Sequence, residues 1–232
     1  MIPLVRYHLE LLVRSQRWLP PFLTYVLLML LSISGSQAML DSLGYAAALL
    51  VPVTAWYVRC ALTTDPPAAR ACLVAAVGAV RVQVASLLAG LLAGLVPAVL
   101  GVLGIWLISE RTTVPRGGEA MPTVVRPEVA QPAAAGAGLL AAVACVLVGV
   151  VVGALCHRPV LLRGSYGILA TLGLSVAVLV TAVSPANRAV SALVTAARTA
   201  RLEPPVAAPL AALVLAALAV AGTAALAARR TE

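Results

Sequence analysis

The chain has 232 residues, of which 62% are hydrophobic and only 10% are charged, and its formal net charge is +8. A soluble domain carries roughly 25% charged residues, so this composition excludes a water-soluble globular fold and predicts an integral membrane protein. Aromatic residues make up 4%, and the apolar remainder is mostly Leu, Val and Ala, which favour helices over the strands of a β-barrel. We therefore expect an all-α fold.

The composition also argues against several kinds of chemistry. All sixteen basic residues are Arg, and without a Lys the chain has no nucleotide-binding P-loop. The only histidines are His8 and His157, and the four cysteines have no CxxC spacing, so no metal site is expected. No paired-carboxylate, HExxH or GxSxG motif is present. We expect no catalysis by this chain, no cofactor bound to it and no nucleic-acid partner.

The first segment, residues 1–18, carries its charges on one side of a helix. Arg6, Glu10 and Arg14 follow one another at i, i+4 spacing, and Leu and Val fill most of the remaining face. This spacing predicts an amphipathic interfacial helix on the cytoplasmic membrane surface, with these residues and Arg17 toward water and lipid phosphate. A plain juxtamembrane anchor would show the same pattern.

Six hydrophobic runs follow, each close to the ~20 residues that a helix needs to cross ~30 Å of hydrocarbon. They predict about six transmembrane helices in a multi-pass protein of a bacterial plasma membrane, without a cleavable signal peptide. The second run is the shortest and is expected to borrow residues from its flanks. The runs are 19–36, 43–58, 86–108, 138–155, 166–183 and 206–227.

The connection after the second run, residues 63–82, has the signals of a short helix. Asp65 can cap a helix that starts at Pro66 and ends at about Val77, before Gly78. Such a helix is too short to cross a membrane. One long, tilted and kinked helix is the alternative.

Arg81 sets the expected start of the third span, because a charge is costly at mid-membrane. We therefore place residues 66–82 at the cytoplasmic surface and start the third span near Ser86.

Arginines are distributed unevenly between the two sides of this arrangement. With the N-terminus inside the cell, ten arginines lie on the cytoplasmic side and six on the outer side, so the positive-inside rule predicts that both termini are cytoplasmic. Residues 109–136, which contain four prolines, then form an extracellular loop. Residues 184–205 form a second extracellular segment, in which 191–201 can be a short helix lying on the surface.

Within the six predicted spans there is no Asp, Glu, Lys, Arg or His. Carriers driven by protons or sodium usually keep ionisable groups there, so an ion gradient is not the expected energy source. Small residues favour close packing of the spans. Gly90 and Gly94 form a GxxxG, as do Gly149 and Gly153.

Three stretches resemble the permease subunit of type-2 ATP-binding-cassette exporters: RYHLELLVRSQRWLPP (6–21), TTDPPAARACLVAAVGAVRVQVASLLAG (63–90) and SPAN (184–187). Such permeases have six spans, an amphipathic N-terminal connecting helix and a cytoplasmic coupling helix between spans two and three. The resemblance in the order of spans and connecting segments covers almost the whole chain. This chain differs from commoner members in having few charges in the coupling segment.

The resemblance implies that the chain works with a separate ATP-binding-cassette ATPase, which binds ATP and Mg²⁺, and with a second permease copy or homologue. It implies that Asp65, Pro66, Arg70 and Gly78 of the coupling helix dock into the ATPase. It also implies export of an amphiphilic or hydrophobic compound. Membrane lipid is the other expected partner.

Two other functions fit the same sequence. A non-transporting subunit that anchors or assembles another complex would equally lack polar groups in its spans. A substrate-binding subunit of an importer also has six spans and needs an ATPase, but its pocket would normally show more polar side chains. The coupling segment distinguishes the exporter from the anchor, because an anchor has no need of one.

Overall fold

The computed structural model describes residues 1–33, 39–112, 131–156, 166–199 and 207–229. All regular structure in these residues is helical, which confirms the predicted all-α fold. In chain order the helices are α1 (Ile2–Arg14), α2 (Leu19–Ile33), α3 (Met39–Thr63), α4 (Pro67–Val77), α5 (Ala79–Thr112), α6 (Gln131–Leu155), α7 (Tyr166–Val180), α8 (Pro185–Thr199) and α9 (Ala207–Arg229).

Four of these helices, α3, α5, α6 and α9, are long and apolar enough to cross a membrane. A fifth span results if α7 and α8, which meet at a bend of 51°, are counted as one broken element. The fifteen residues of α2 are apolar, but they rise only about 22 Å, less than the ~30 Å of bilayer hydrocarbon. The described residues therefore form a membrane-embedded bundle with four or five candidate spans, where the sequence predicts about six.

The bundle is organised around α3, which packs against α1, α2, α5, α6, α7 and α8. Most of its residues are buried, and so are most of those in α6. By contrast, α5 and α9 leave Leu and Val side chains exposed along their outer faces, such as Leu100 and Leu218. Exposed apolar faces of this kind are what lipid solvates in a membrane-embedded bundle.

Two glycine pairs allow neighbouring helices to approach α3 closely. A Cβ added to any of these four glycines would lie 2.7–2.8 Å from a side-chain atom of Thr54 or Val58. These two α3 residues are one turn apart and are held between α5 on one side and α6 on the other. The close packing predicted from the GxxxG pattern is confirmed. The glycines are Gly90 and Gly94 of α5 and Gly149 and Gly153 of α6.

Several helices extend beyond the predicted spans. α3 runs from Met39 to Thr63, which confirms that the second apolar run borrows residues from its flanks. α5 starts at Ala79 rather than near Ser86, because the exposed Arg81 falls in its first turn, where a long side chain can reach out of the apolar layer. The charged residues that α3 and α5 include lie toward the ends of these helices. They are Asp41 and Arg59 in α3, and Arg81, Glu110 and Arg111 in α5.

The predicted extracellular loop over 109–136 is shorter at both ends. α5 continues to Thr112 and α6 begins at Gln131. Residues 113–130 lie outside the described part of the chain.

α8 differs from the prediction of a short surface helix over 191–201. It begins at Pro185, ends at Thr199 and packs against α3 and α6. The backbone of Gly44 in α3 lies close to this face. Small and apolar residues recur on α8 at helical spacing, so that one side of the helix can be buried. The buried residues are Ala186, Ala189, Leu193 and Ala196.

The close contact between α3 and α6 can be tested by adding a single methyl group at Gly149. A Cβ on Gly149 would lie 2.7 Å from Thr54 Cβ and 2.8 Å from the carbonyl oxygen of Val51, so the backbones must separate. We expect Gly149→Ala to lower the unfolding free energy by about 1–3 kcal/mol, measured as a lower thermal midpoint in detergent.

Gly222→Ala in α9 is the matched control, because nothing lies within 4 Å of its Cβ position. Alanine is the better helix former, so this variant should be as stable as the wild type or slightly more stable. Equal midpoints for both variants would contradict the close approach of α3 and α6.

Candidate functional site

α1 has the polar face that its sequence predicts. Arg6 Nε donates a 2.7 Å hydrogen bond to Glu10 Oε1, and both side chains are exposed. This bond lowers the pKa of Glu10 and raises that of Arg6. Arg14 and Arg17 are exposed as well. The charged side of α1 therefore faces away from the bundle.

The opposite side of α1 holds a histidine inside the fold. His8 and Leu12, one turn apart, are its buried residues, and α1 packs against α3 and α5. His8 is the only titratable group on this side of the helix. Its position makes α1 part of the bundle, with the charged side of the helix facing outward.

His8 meets Asp65 from the connection between α3 and α4. Nδ1 of His8 lies 3.4 Å from Oδ2 of Asp65, and each side chain is 1% exposed. Burial lowers the pKa of His8 below its ordinary value of 6.5; Asp65 opposes this shift, while the positive charge of Arg70 adds to it. His8 is therefore neutral at pH 7.

Asp65 does not act as the predicted helix cap. The N-cap residue of α4 is Pro66, without a side-chain capping hydrogen bond, and the helix starts at Pro67 rather than at Pro66. The carboxylate points to His8 instead. The capping prediction is wrong because the buried face of α1 gives Asp65 a tertiary partner.

The predicted end of α4 is correct. The helix ends at Val77, and Gly78 adopts a φ of +90°, a left-handed conformation that favours glycine. The Gly78 N–H donates to the carbonyl of Val74. α4 is thus a separate eleven-residue helix and not the first part of one long kinked α5.

Arg70 connects α4 to its two neighbours. Its guanidinium donates to Gln83 Oε1 at 2.9 Å and to the carbonyl oxygen of Leu62 at 3.4 Å. Gln83 is 1% exposed and lies in α5, whereas Leu62 is near the end of α3. We call His8, Asp65, Arg70 and Gln83 the polar junction, because together they join α1, α3, α4 and α5.

The turn between α1 and α2 also holds the end of α3. Arg17 Nη1 donates to the carbonyl oxygen of Thr63 at 3.3 Å, and the thiol of Cys60 donates to the carbonyl oxygen of Arg17 at 3.6 Å. Both bonds attach the last turn of α3 to Arg17 before the chain enters α4.

The outward face of α4 carries only small side chains. Four of the exposed positions of α4 recur at i, i+3, i+4 and i+7, which places these four on one side of the helix. No charged side chain lies on this face. The residues are Ala68, Ala71, Cys72 and Ala75. We call them the small-residue face of α4.

The four residues expected to dock an ATPase therefore separate into two groups. Asp65 and Arg70 contribute to the polar junction, while Pro66 and Gly78 are exposed at the two ends of α4. The sequence reasoning missed His8 and Gln83. The available signal for His8 was its place on the apolar side of an amphipathic helix, in line with Leu4 and Leu12.

SPAN, the third stretch of the resemblance, forms the bend between α7 and α8. Asn187 Nδ2 donates a 2.5 Å hydrogen bond to the carbonyl oxygen of Leu179. The bond ties the first turn of α8 to the last turn of α7. It fixes the bend of 51° between them.

Among the described residues, no group of three His, Cys, Asp or Glu side chains is placed to hold a metal ion. His157, next to Cys156, lies outside these residues. Searches of protein-family models, of curated proteins and of solved structures give no match to this chain.

The buried His8 should make stability depend on pH. Its pKa is lowered in the folded protein, so below about pH 6.5 the unfolded chain binds a proton that the folded chain does not. Stability is therefore complete above about pH 6.5 and falls with decreasing pH until the folded pKa is reached. The slope is at most about 1.4 kcal/mol per pH unit.

Thermal midpoints measured from pH 8 to pH 5 check this expectation. His8→Gln should lose the slope that the wild type shows below pH 6.5, whatever its midpoint at pH 8. Glu10→Gln is the control, because the pKa of Glu10 lies below 4.5 and its titration falls outside this range. His157 is present in all three proteins. Parallel curves for wild type and His8→Gln would overturn the assignment.

Cys72 allows the accessibility of the small-residue face to be measured directly. It is exposed, whereas Cys60, Cys145 and Cys156 are buried. A membrane-impermeant maleimide should therefore label one site per folded chain, and Cys72→Ser should abolish labelling. With N-in orientation, labelling should occur in inside-out vesicles and not in right-side-out vesicles. Labelling from the outer side would contradict the orientation.

Proposed function

We propose that this chain is the permease subunit of a type-2 ATP-binding-cassette exporter in a bacterial plasma membrane. In this proposal α1 is the connecting helix and α4 the coupling helix, both on the cytoplasmic side. The six spans would be the first predicted run, 19–36, which includes α2, together with α3, α5, α6, the pair α7–α8, and α9. A separate ATPase binds ATP and Mg²⁺, and a second permease copy or homologue completes the transporter.

The main support for this proposal is the attachment of α4 to the rest of the bundle. The helix is bounded by Pro66 and Gly78, exposes one face and is joined through Arg70 to both α3 and α5. A displacement of α4 would therefore be transmitted to α3 and α5 together. A membrane anchor has no need of such a connection.

The positions of the charged residues also favour an energy source outside this chain. Among the described residues, the charged side chains of the spans lie toward helix ends, and the buried acid–base pair of His8 and Asp65 lies beside α4. A proton or sodium carrier would place such groups in the transport path. A partner ATPase supplies the energy instead.

The polar side chains inside the bundle fit an apolar substrate path. Ser175 donates to the carbonyl oxygen of Thr171, and Thr223 to that of Ala219, so these hydroxyls bond to their own helix. Thr54 Oγ1 has no hydrogen-bond partner among the described residues, but its side chain is fully buried between glycines of α5 and α6. Recognition of a polar substrate needs free polar groups in the path, so an amphiphilic or hydrophobic compound is the better candidate.

The proposal is tested by purifying the native complex in mild detergent and measuring the ATPase that accompanies it. We expect Ala75→Glu to reduce the co-purified ATPase about tenfold or more, because a carboxylate on the small-residue face would be buried without a partner. The double variant Asp65→Ala/Arg70→Ala should retain part of the association but lose substrate-stimulated ATPase activity, because it disrupts the polar junction instead.

Gln16→Glu is the matched control, since it adds the same charge at an exposed position in the turn between α1 and α2. It should leave both ATPase association and activity unchanged. A native complex without any ATPase would reject the exporter and favour a membrane anchor.

A further inference from the structure

An apolar groove lies between α5, α6 and α9. Its volume is about 480 Å³, within the range of roughly 300–1,000 Å³ that is typical of small-molecule sites. Side chains between Val80 and Leu91 form one wall, and side chains between Leu213 and Ala224 form the opposite wall. Leu147 and Val150 of α6 form its floor. Every side chain that lines it is Val, Leu or Ala.

The length of the groove matches one leaflet of a bilayer. Val80 and Leu91 are eleven positions apart on α5, which corresponds to a rise of about 17 Å. The hydrocarbon layer is ~30 Å thick, so the groove extends over about half of it. It begins at the end of the bundle where α4 and the polar junction lie.

A cation lies at that end of the groove. Arg81 is exposed and adjacent in sequence to Val80 at the rim. Within the described residues its guanidinium makes no hydrogen bond or ion pair. A positive charge in the first turn of a helix is unfavourable for the helix dipole, so helix stability does not explain an arginine at this position.

We propose that the groove binds one acyl chain of an anionic phospholipid, with the lipid phosphate bound by Arg81. The apolar walls exclude a polar ligand. The length fits a chain that reaches from a headgroup at the membrane surface to the middle of the bilayer. The arginine provides the complementary charge at the headgroup level, where arginine binds phosphate well. Such a lipid stabilises the contact between α5 and α9.

The test uses phosphatidylglycerol that carries a photoreactive diazirine on its acyl chain, mixed into vesicles of phosphatidylcholine with the purified protein. After illumination, the labelled positions are read by mass spectrometry. We expect labelling to concentrate on the groove wall of α9, near Ala217. A diazirine-bearing phosphatidylcholine should label this wall more weakly.

Two pairs of variants separate a specific site from ordinary lipid contact. Ala217→Trp fills the groove and should abolish the concentrated labelling, whereas Leu218→Trp, on the exposed neighbouring face of the same helix, should leave it unchanged. Arg81→Gln should reduce labelling by phosphatidylglycerol about fivefold, which corresponds to ~1 kcal/mol per basic residue near an anionic headgroup. Arg14→Gln, an exposed arginine of α1, is its control.

Equal labelling of all exposed helix faces, or equal effects of the two tryptophan variants, would overturn the site. If Ala217→Trp fails to fold, Ala217→Leu provides the same comparison with a smaller side chain. A disulfide between two copies of Ala217→Cys would make the groove an interface between copies and also overturn the proposal. No nucleotide or ATPase takes part in the measurement, so its failure is independent of the exporter proposal.

Discussion

The close approach of α5 and α6 to α3 is the constraint on which the rest of the bundle depends. Lipid is as apolar as leucine, so helices in a membrane associate through packing rather than through the hydrophobic effect. Here two glycine pairs meet the same two residues, Thr54 and Val58. α3 is thereby fixed as the axis of the bundle, and the position of its last turn determines where α4 begins.

The polar junction converts this fixed axis into a connection with α1 and α4. Buried polar groups are less favourable than apolar ones of the same size unless they are fully hydrogen-bonded. Among the described residues, His8 Nε2, both Asp65 carboxylate oxygens and Gln83 Nε2 lack a hydrogen-bond partner. The junction is therefore weak for its size, and in the proposed exporter such a contact could change when α4 moves.

Hydropathy and the positions of Pro and Gly were sufficient to predict the fold class, the end of α4 and the close-packing role of the glycines. They could not predict the partners of Asp65 and Arg70, because a short helix between two spans has no hydropathy signal that says which side meets the bundle. α8 was misplaced for a related reason. Alanine lines its buried side, and alanine in an amphipathic pattern does not distinguish a packed helix from a surface helix.

If α4 binds an ATPase as proposed, the small-residue face would determine how the two meet. Ala68, Ala71, Cys72 and Ala75 bring little side-chain bulk and no charge, so a partner can approach the helix backbone closely, as α5 and α6 approach α3. Affinity would then depend on shape, and a charge added to this face would be far more disruptive than a charge removed elsewhere. Arg70 faces inward to Gln83 and Leu62, so under this proposal its replacement would test the polar junction rather than docking. In the proposed exporter, the two functions of α4, binding a partner and moving the bundle, would thus be carried by opposite sides of one helix.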